Sequence, residues 1–346
     1  MRVKKEVICI LLMAMTMLLN ACSSDESGAQ TVTTGEEPVG KQVQLMTYAP
    51  YFTEKEAPRR APSGFTAYTP DKTTDMGIYM IKDGDLSYKE ERLRYASKWF
   101  AFFEAEAQEN YTVYGYMPKI TGMSSSLSSV TSDGATLTIN GIKPVTADDI
   151  CIITGVKETD TGLKEGQFHW FMANANDNFY MYLLMDHLYA SVKFSLIVSE
   201  EYAQLRTIKL KTMTLSANKA SVNAAVTLHN TEGTSPITSV TYNTSTGDNC
   251  AAEIFNDAEG QALSSTTPIA VSACFVPTLS SDLTLFSTYD VYDSKGNLIR
   301  ANCEATNKIP NLEASRGQRV QLNMKVDPTY LYVMSDKDLD NLFTIE

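Results

Sequence analysis

The chain has 346 residues, enough for two domains of about 150 residues each. Hydrophobic residues make up 43%, sufficient for packed cores and too many for a disordered chain. With 29 basic and 41 acidic residues the net charge is −12, the wrong sign for a protein that tracks a nucleic-acid backbone, so nucleic acid is set aside as a partner.

The N-terminus reads as an address. Arg2, Lys4 and Lys5 precede an apolar run over residues 7–19. A membrane-spanning helix needs about 20 apolar residues, so the run fits a signal peptide, residues 1–21, better than a span. It ends in Leu18-Leu19-Asn20-Ala21-Cys22, which resembles a bacterial lipobox with Cys22 as the first mature residue. The Cys22 thiol would carry a diacylglyceryl thioether and its freed amine a further acyl chain. One chain holds a membrane marginally; two or three anchor it. Ser23-Ser24-Asp25-Glu26 follows and is similar to the acidic signal that sends Bacteroidota lipoproteins to the cell surface. Residues 22–42 are rich in Ser, Thr, Gly and Glu and read as a flexible tether.

Beyond the tether the main signal is alternation with period two. Residues 42–52 read as a strand. Residues 89–108 stay open between one helix and a strand around 99–103. Residues 124–132 read as a polar loop. Asn140-Gly141 reads as a turn between strands 135–139 and 142–145, and Asp257-Ala258-Glu259-Gly260 as another. Strong alternation marks Val192, Phe194, Leu196 and Val198, then Val222, Ala224, Val226 and Leu228, then Val320, Leu322, Met324 and Val326. In residues 208–215 the apolar phase flips midway, which predicts a bulge. Asp293-Ser294-Lys295-Gly296-Asn297 reads as a hairpin loop. The 18 Tyr and 13 Phe agree with strands. The fold class is all-β, with antiparallel sandwich strands. The polar cluster at residues 174–178 divides the chain into 43–178 and 179–346.

Residues that could carry chemistry are few. The chain has no GxSxG, HExxH, P-loop or Rossmann glycine pattern. Cys151, Cys250, Cys274 and Cys303 lack metal-type CxxC spacing; Cys151 reads as a small buried hydrophobe, and a disulfide among the other three stays open. His169, His187 and His229 are scattered, and His187 reads as structural. Asp336, Asp338 and Asp340 echo the start of a calcium loop, but its glycine and closing Glu are missing, so they read as an acidic tail. No metal, cofactor or catalytic residue is expected. Trp99 and Trp170 read as core residues, or as stacking platforms for sugars. Arg59 and Arg60 lie between Pro58 and Pro62, where regular structure is disfavoured. An irregular basic site suits a trypsin-like protease; it also suits a solvated linker.

Taken in order, these segments resemble one family. Cys22 and its acidic tether come first, then one strand, Arg60-Ala61-Pro62 and Gly64-Phe65-Thr66-Ala67-Tyr68. Asn110-Tyr111-Thr112-Val113-Tyr114-Gly115-Tyr116-Met117-Pro118 and Asp148-Asp149-Ile150-Cys151 follow. Asp186-His187-Leu188-Tyr189-Ala190 comes next, and the series closes with Val326-Asp327-Pro328-Thr329-Tyr330. The whole is similar to the fimbrillin family of Bacteroidales lipoproteins, subunits and accessory proteins of type V pili. The resemblance implies two tandem transthyretin-like, Ig-like antiparallel β-sandwich domains. It implies export to the outer membrane as a lipoprotein and removal of a leader (residues 43–60) by an Arg-specific protease at Arg59 or Arg60. It then implies assembly into a fimbria with other pilin subunits by β-strand addition. By position, residues 327–346 would be the donor strand, and a host or bacterial surface receptor the target of adhesion. Two alternatives remain: a glycan-binding surface lipoprotein of a polysaccharide-uptake system, and a pilus anchor that keeps its lipid.

Overall fold

The computed structural model describes residues 41–54, 65–67, 75–82, 90–95, 99–101, 108–172, 178–245, 250–277, 280–312 and 314–326. The expectations for Cys22, the tether to residue 40, Arg59, Arg60 and the tail 327–346 lie outside them.

The described residues are almost all strand. In chain order these are β1 (Lys41–Pro50), β2 (Thr53–Glu54), β3 (Phe65–Ala67), β4 (Asp75–Lys82), β5 (Glu91–Tyr95), β6 (Trp99–Ala101), β7 (Asn110–Met117) and β8 (Ser124–Thr131). Then come β9 (Gly134–Ile142), β10 (Cys151–Lys157), β11 (His169–Phe171), β12 (Asn178–His187), β13 (Ala190–Val198), the short helix α1 (Glu200–Ala203) and β14 (Arg206–Ala217). The chain continues through β15 (Ser221–His229), β16 (Ile237–Ser245), β17 (Cys250–Ala262), β18 (Ile269–Ala270), β19 (Cys274–Val276), β20 (Ser280–Asp293), β21 (Leu298–Leu312) and β22 (Gln318–Val326).

The first sheet rolls up. Its order is β10-β12-β1-β6-β5-β4-β7, and β7 pairs again with β10 through Cys151↔Met117 and Ile152↔Tyr116, which closes a ring. Successive residues of its strands serve two cores, as the pleat requires. Met76, Ile78, Val113, Cys151 and Ile153 share one core with Val43, Trp99, Trp170 and Met185. Their neighbours Tyr79, Ile81, Tyr114, Tyr116 and Ile152 face the other way. There they pack against Leu137, Ile139, Val222, Val226 and Leu228 of the four-stranded sheet β16-β15-β9-β8. A third core lies between the sheet β18-β13-β22-β2 and the sheet β17-β14-β20-β21. It holds the alternating Val192, Phe194, Leu196 and Val198 of β13. The division expected between 178 and 179 meets the first residue of β12. That strand belongs to the ring, and β15, from beyond the division, pairs with β9.

Several local expectations meet a different outcome. Of residues 124–132, Ser124–Thr131 form edge strand β8, because pairing with β9 supplies the backbone bonds and Leu127 with Val130 suffices for its inner face. The rest of its Ser and Thr lie on wet positions. Asn140-Gly141 makes no turn: β9 runs through it. Gly141 has φ +74° and its N–H donates to Asn223 Oδ1 at 3.1 Å, forming a bulge against β15. Residues 257–260 kink within β17, where pairing with β14 jumps from Asn256 to Gln261. Within 89–108 the described parts are strands β5 and β6. The phase flip in β14 is a bulge between Leu210 and Thr212. Residues 293–297 form the hairpin loop joining β20 and β21, with Asp293 Oδ1 accepting from the N–H groups of Lys295 (2.9 Å) and Asn297 (2.8 Å).

Candidate functional site: the N-terminal strands and their clasp

β1 is not an appendage. It lies inside the ring, parallel to β12 from Gln42↔Asn178 to Tyr48↔Leu184, and antiparallel to β6 at Val43↔Trp99. Val43, Thr47 and Ala49 are buried, with Leu45 packed behind them, while Met46 on the opposite face is 45% exposed. The alternation of QVQLMTYAP therefore specifies which face is sealed. Pro50 ends the strand, and the chain crosses toward the second half of the molecule. There β2 runs parallel to β22 through Thr53↔Gln318 and Glu54↔Arg319. Beyond these two pairs, no described strand covers the outer edge of β22.

The crossing is clasped at residues 50–54. His187, the last residue of β12 and 3% exposed, lies against it. Its Nε2 is 2.8 Å from the Pro50 carbonyl oxygen and its Nδ1 2.8 Å from Asp149 Oδ2. The Phe52 ring stacks on the imidazole, with centroids 3.8 Å apart and planes 24° apart, and meets Phe275 at 5.7 Å. The Arg319 guanidinium lies over the same ring at 5.7 Å and reaches Glu54 at 3.4 Å. The Thr53 N–H donates to the Gly317 carbonyl at 2.9 Å, and the Gly317 N–H to Tyr189 at 2.9 Å. Gly317 has φ +68°, which a side chain would strain. Arg316 pairs with Asp186 and also reaches the His187 carbonyl at 3.4 Å. Burial works to lower the His187 pKa, but the hydrogen bond and charge of Asp149, the Pro50 carbonyl and Asp186 outweigh it and raise the value.

Cys151 lies opposite His187 across β10 and β12, its Sγ 3.7 Å from the same Nδ1. Asp149, Cys151 and His187 offer ligand atoms within 4.8 Å of one another. A metal would have to displace the proton bridging His187 and Asp149, because both ring nitrogens are already engaged. Nucleophilic catalysis needs the base to face its orienting carboxylate and its nucleophile from different nitrogens. Here one nitrogen faces both, and Cys151 is fully buried. The arrangement is built to hold, not to attack.

Other residues singled out in the sequence lie away from this clasp. Trp99 and Trp170 are 6% and 1% exposed, so neither forms a surface platform. Cys250, Cys274 and Cys303 are free thiols; burial pushes Cys274 up to about 12. The clasp partners Phe52, Thr53, Asp149 and Gly317 carry no local motif. Each is joined to a residue far away in the chain; the sequence signals were the strand pattern over residues 42–52 and the segments holding Asp149 and His187, and neither showed that these meet.

Neither a family model nor a curated protein matches the chain. Solved structures do. A candidate cell adhesion protein from Bacteroides ovatus covers 83% of this chain and 93% of its own at 10% identity, with a TM-score of 0.38. A fimbrial protein from Bacteroides vulgatus covers 84% and 96% at 10% identity, with a TM-score of 0.36. The fimbrial anchor protein Mfa2 from Porphyromonas gingivalis covers 74% and 80% at 12% identity, with a TM-score of 0.25. These are fimbrial and adhesion proteins of Bacteroidales, the kind to which the sequence resemblance points. At identities and TM-scores this low the likeness carries no argument about function, which rests on the residues of this chain.

Proposed function

We propose that this chain is a structural or adhesive subunit of a cell-surface fimbria. It is exported as a lipoprotein through Cys22 and assembled when a strand from another subunit replaces β1–β2. One observation carries the reading: the first described strand, within 20 residues of the Arg59-Arg60 site, is an integral part of the ring and then reaches the other half of the molecule at β22. Cutting at Arg59 or Arg60 would leave it held by noncovalent contacts alone. Its departure would expose the edges of β12 and β6 and the apolar slots of Val43, Leu45 and Ala49. Such edges pair readily with an incoming strand, through backbone bonds for affinity and alternate side chains for specificity. Residues 327–346 continue directly from β22 and are the natural donor. We take the ring with its covering sheet, and the sandwich around β13 and β14, as the two domains the strand bridges. The glycan-binding alternative needs exposed aromatic platforms, and the burial of Trp99 and Trp170 speaks against those two residues in that role.

The test uses the purified full-length chain. Nicking with an Arg-specific protease and adding a synthetic peptide of residues 327–346 should release the N-terminal fragment and retain the peptide, seen by native mass spectrometry. Release that is blind to the peptide, with no peptide retained, would overturn strand replacement.

A further inference from the structure

We propose that His187 is a proton-operated latch on the N-terminal strands. Doubly protonated on its ring, it ties Pro50 to the ring of strands; on losing one proton it lets Pro50 go. The latch rests on the fimbrial reading for its purpose, but not for its chemistry.

The geometry decides the protonation states. A backbone carbonyl is an acceptor only, and so is an ionised carboxylate. Pro50 O and Asp149 Oδ2 each lie 2.8 Å from a different nitrogen of one ring, so only an imidazolium satisfies both. A neutral ring keeps one N–H, and Asp149 has the stronger claim on it. That carboxylate is nearly buried, and its Oδ1 has no hydrogen-bond partner among the described residues. The ring's lone pair then faces the Pro50 oxygen, and attraction turns to repulsion. Phe52 adds to the effect, because its ring face, 3.8 Å away, favours a cation over a neutral ring.

The groups facing the imidazole come from every element around it. Asp149 and Cys151 approach from the β10 side, and Asp186 precedes it on β12. Arg316 neutralises part of Asp186, and Glu165 lies near both. Arg319 lies over the Phe52 ring, paired with Glu54. Asp149, the Pro50 carbonyl and Asp186 together outweigh the burial, so the folded pKa is raised. A raised value means the latch is fully closed below the ordinary histidine range of about 6.5. It opens as pH climbs through the folded value. The N-terminal strands are held in acid and loosened in alkali.

Hydrogen exchange on the full-length chain, corrected to protection factors, tests this. Protection of residues 41–54 should fall about tenfold across one pH step, the size expected for losing one charge-assisted hydrogen bond, while peptides of β20–β21 stay flat. The midpoint should coincide with the His187 titration followed by NMR. In His187→Gln the step should vanish. Should that variant fail to fold, agreement between the two midpoints in the unaltered chain still decides. A flat profile over residues 41–54, or a step away from the His187 midpoint, would overturn the latch. Failure here would leave strand replacement standing, and a failed peptide exchange would leave the latch standing.

Discussion

The β20–β21 hairpin and the β1–β2 segment are both sheet strands, held in opposite ways. The hairpin is local. Asp293 organises a five-residue loop, and the strands then zip over many residues beside their own turn. The β1–β2 segment is mostly non-local: apart from its antiparallel pairing with β3, from Tyr48↔Ala67 to Pro50↔Phe65, it depends on distant strands. Its partners in β12, β6, β22 and at Asp149 and His187 are tens to hundreds of residues away. A hairpin cut elsewhere keeps its pairing, because loop closure costs it little. A leader severed from the chain behind it loses the tether that makes its contacts intramolecular, and another strand can compete for its place. Under the proposed strand replacement, that difference separates a permanent element from an exchangeable one.

That contrast can be broken in steps. Deleting residues 1–54 should have the largest effect: the ring loses a central strand, so Tm should fall by roughly 10 °C or more and the protein should self-associate through β12 and β6. Calorimetry and light scattering would show it, and a monomer of unchanged Tm would mean that β1 is dispensable. Phe52→Ala comes next, at about 2 kcal/mol in chemical denaturation, since a half-buried ring that fills the clasp is lost. The matching change on the hairpin, Leu298→Ala, removes a side chain that is 53% exposed and should cost within about 0.5 kcal/mol. Equal costs would erase the distinction between the regions. Asp293→Ala should be smallest, confined to the hairpin. The carboxyl's pKa is lowered, chiefly by the Asn297 side chain, so its contribution is present above the ordinary carboxylate range and is lost as pH falls through the lowered value. Exchange in β20–β21 should therefore accelerate in acid, with residues 41–54 unaffected.

The same contrast explains what was legible in the sequence. The alternating runs of β13, β15 and β22, the phase flip in β14 and the Asp293 loop are local patterns with local causes, and they appear where expected. β8 was hidden because an edge strand of Ser and Thr is recognised by its neighbour, not its composition. Asn140-Gly141 reads as a turn, but Gly141 can equally relieve a bulge, and the pairing with β15 selects the bulge. The rolled first sheet depends on β7 meeting β10, a contact with no sequence signature. The β1 pattern is visible as a strand; that its end lies against His187, beside Asp149, is not, since the partners are joined by the fold alone.

The central claim is that β1–β2 is a removable leader. The most direct measurement is the N-terminal residue of the protein recovered from the surface of the producing cell. The account predicts a start just after Arg59 or Arg60, without lipid. A start at acylated Cys22 in all of the material would contradict it and leave an anchored protein whose first strand never departs.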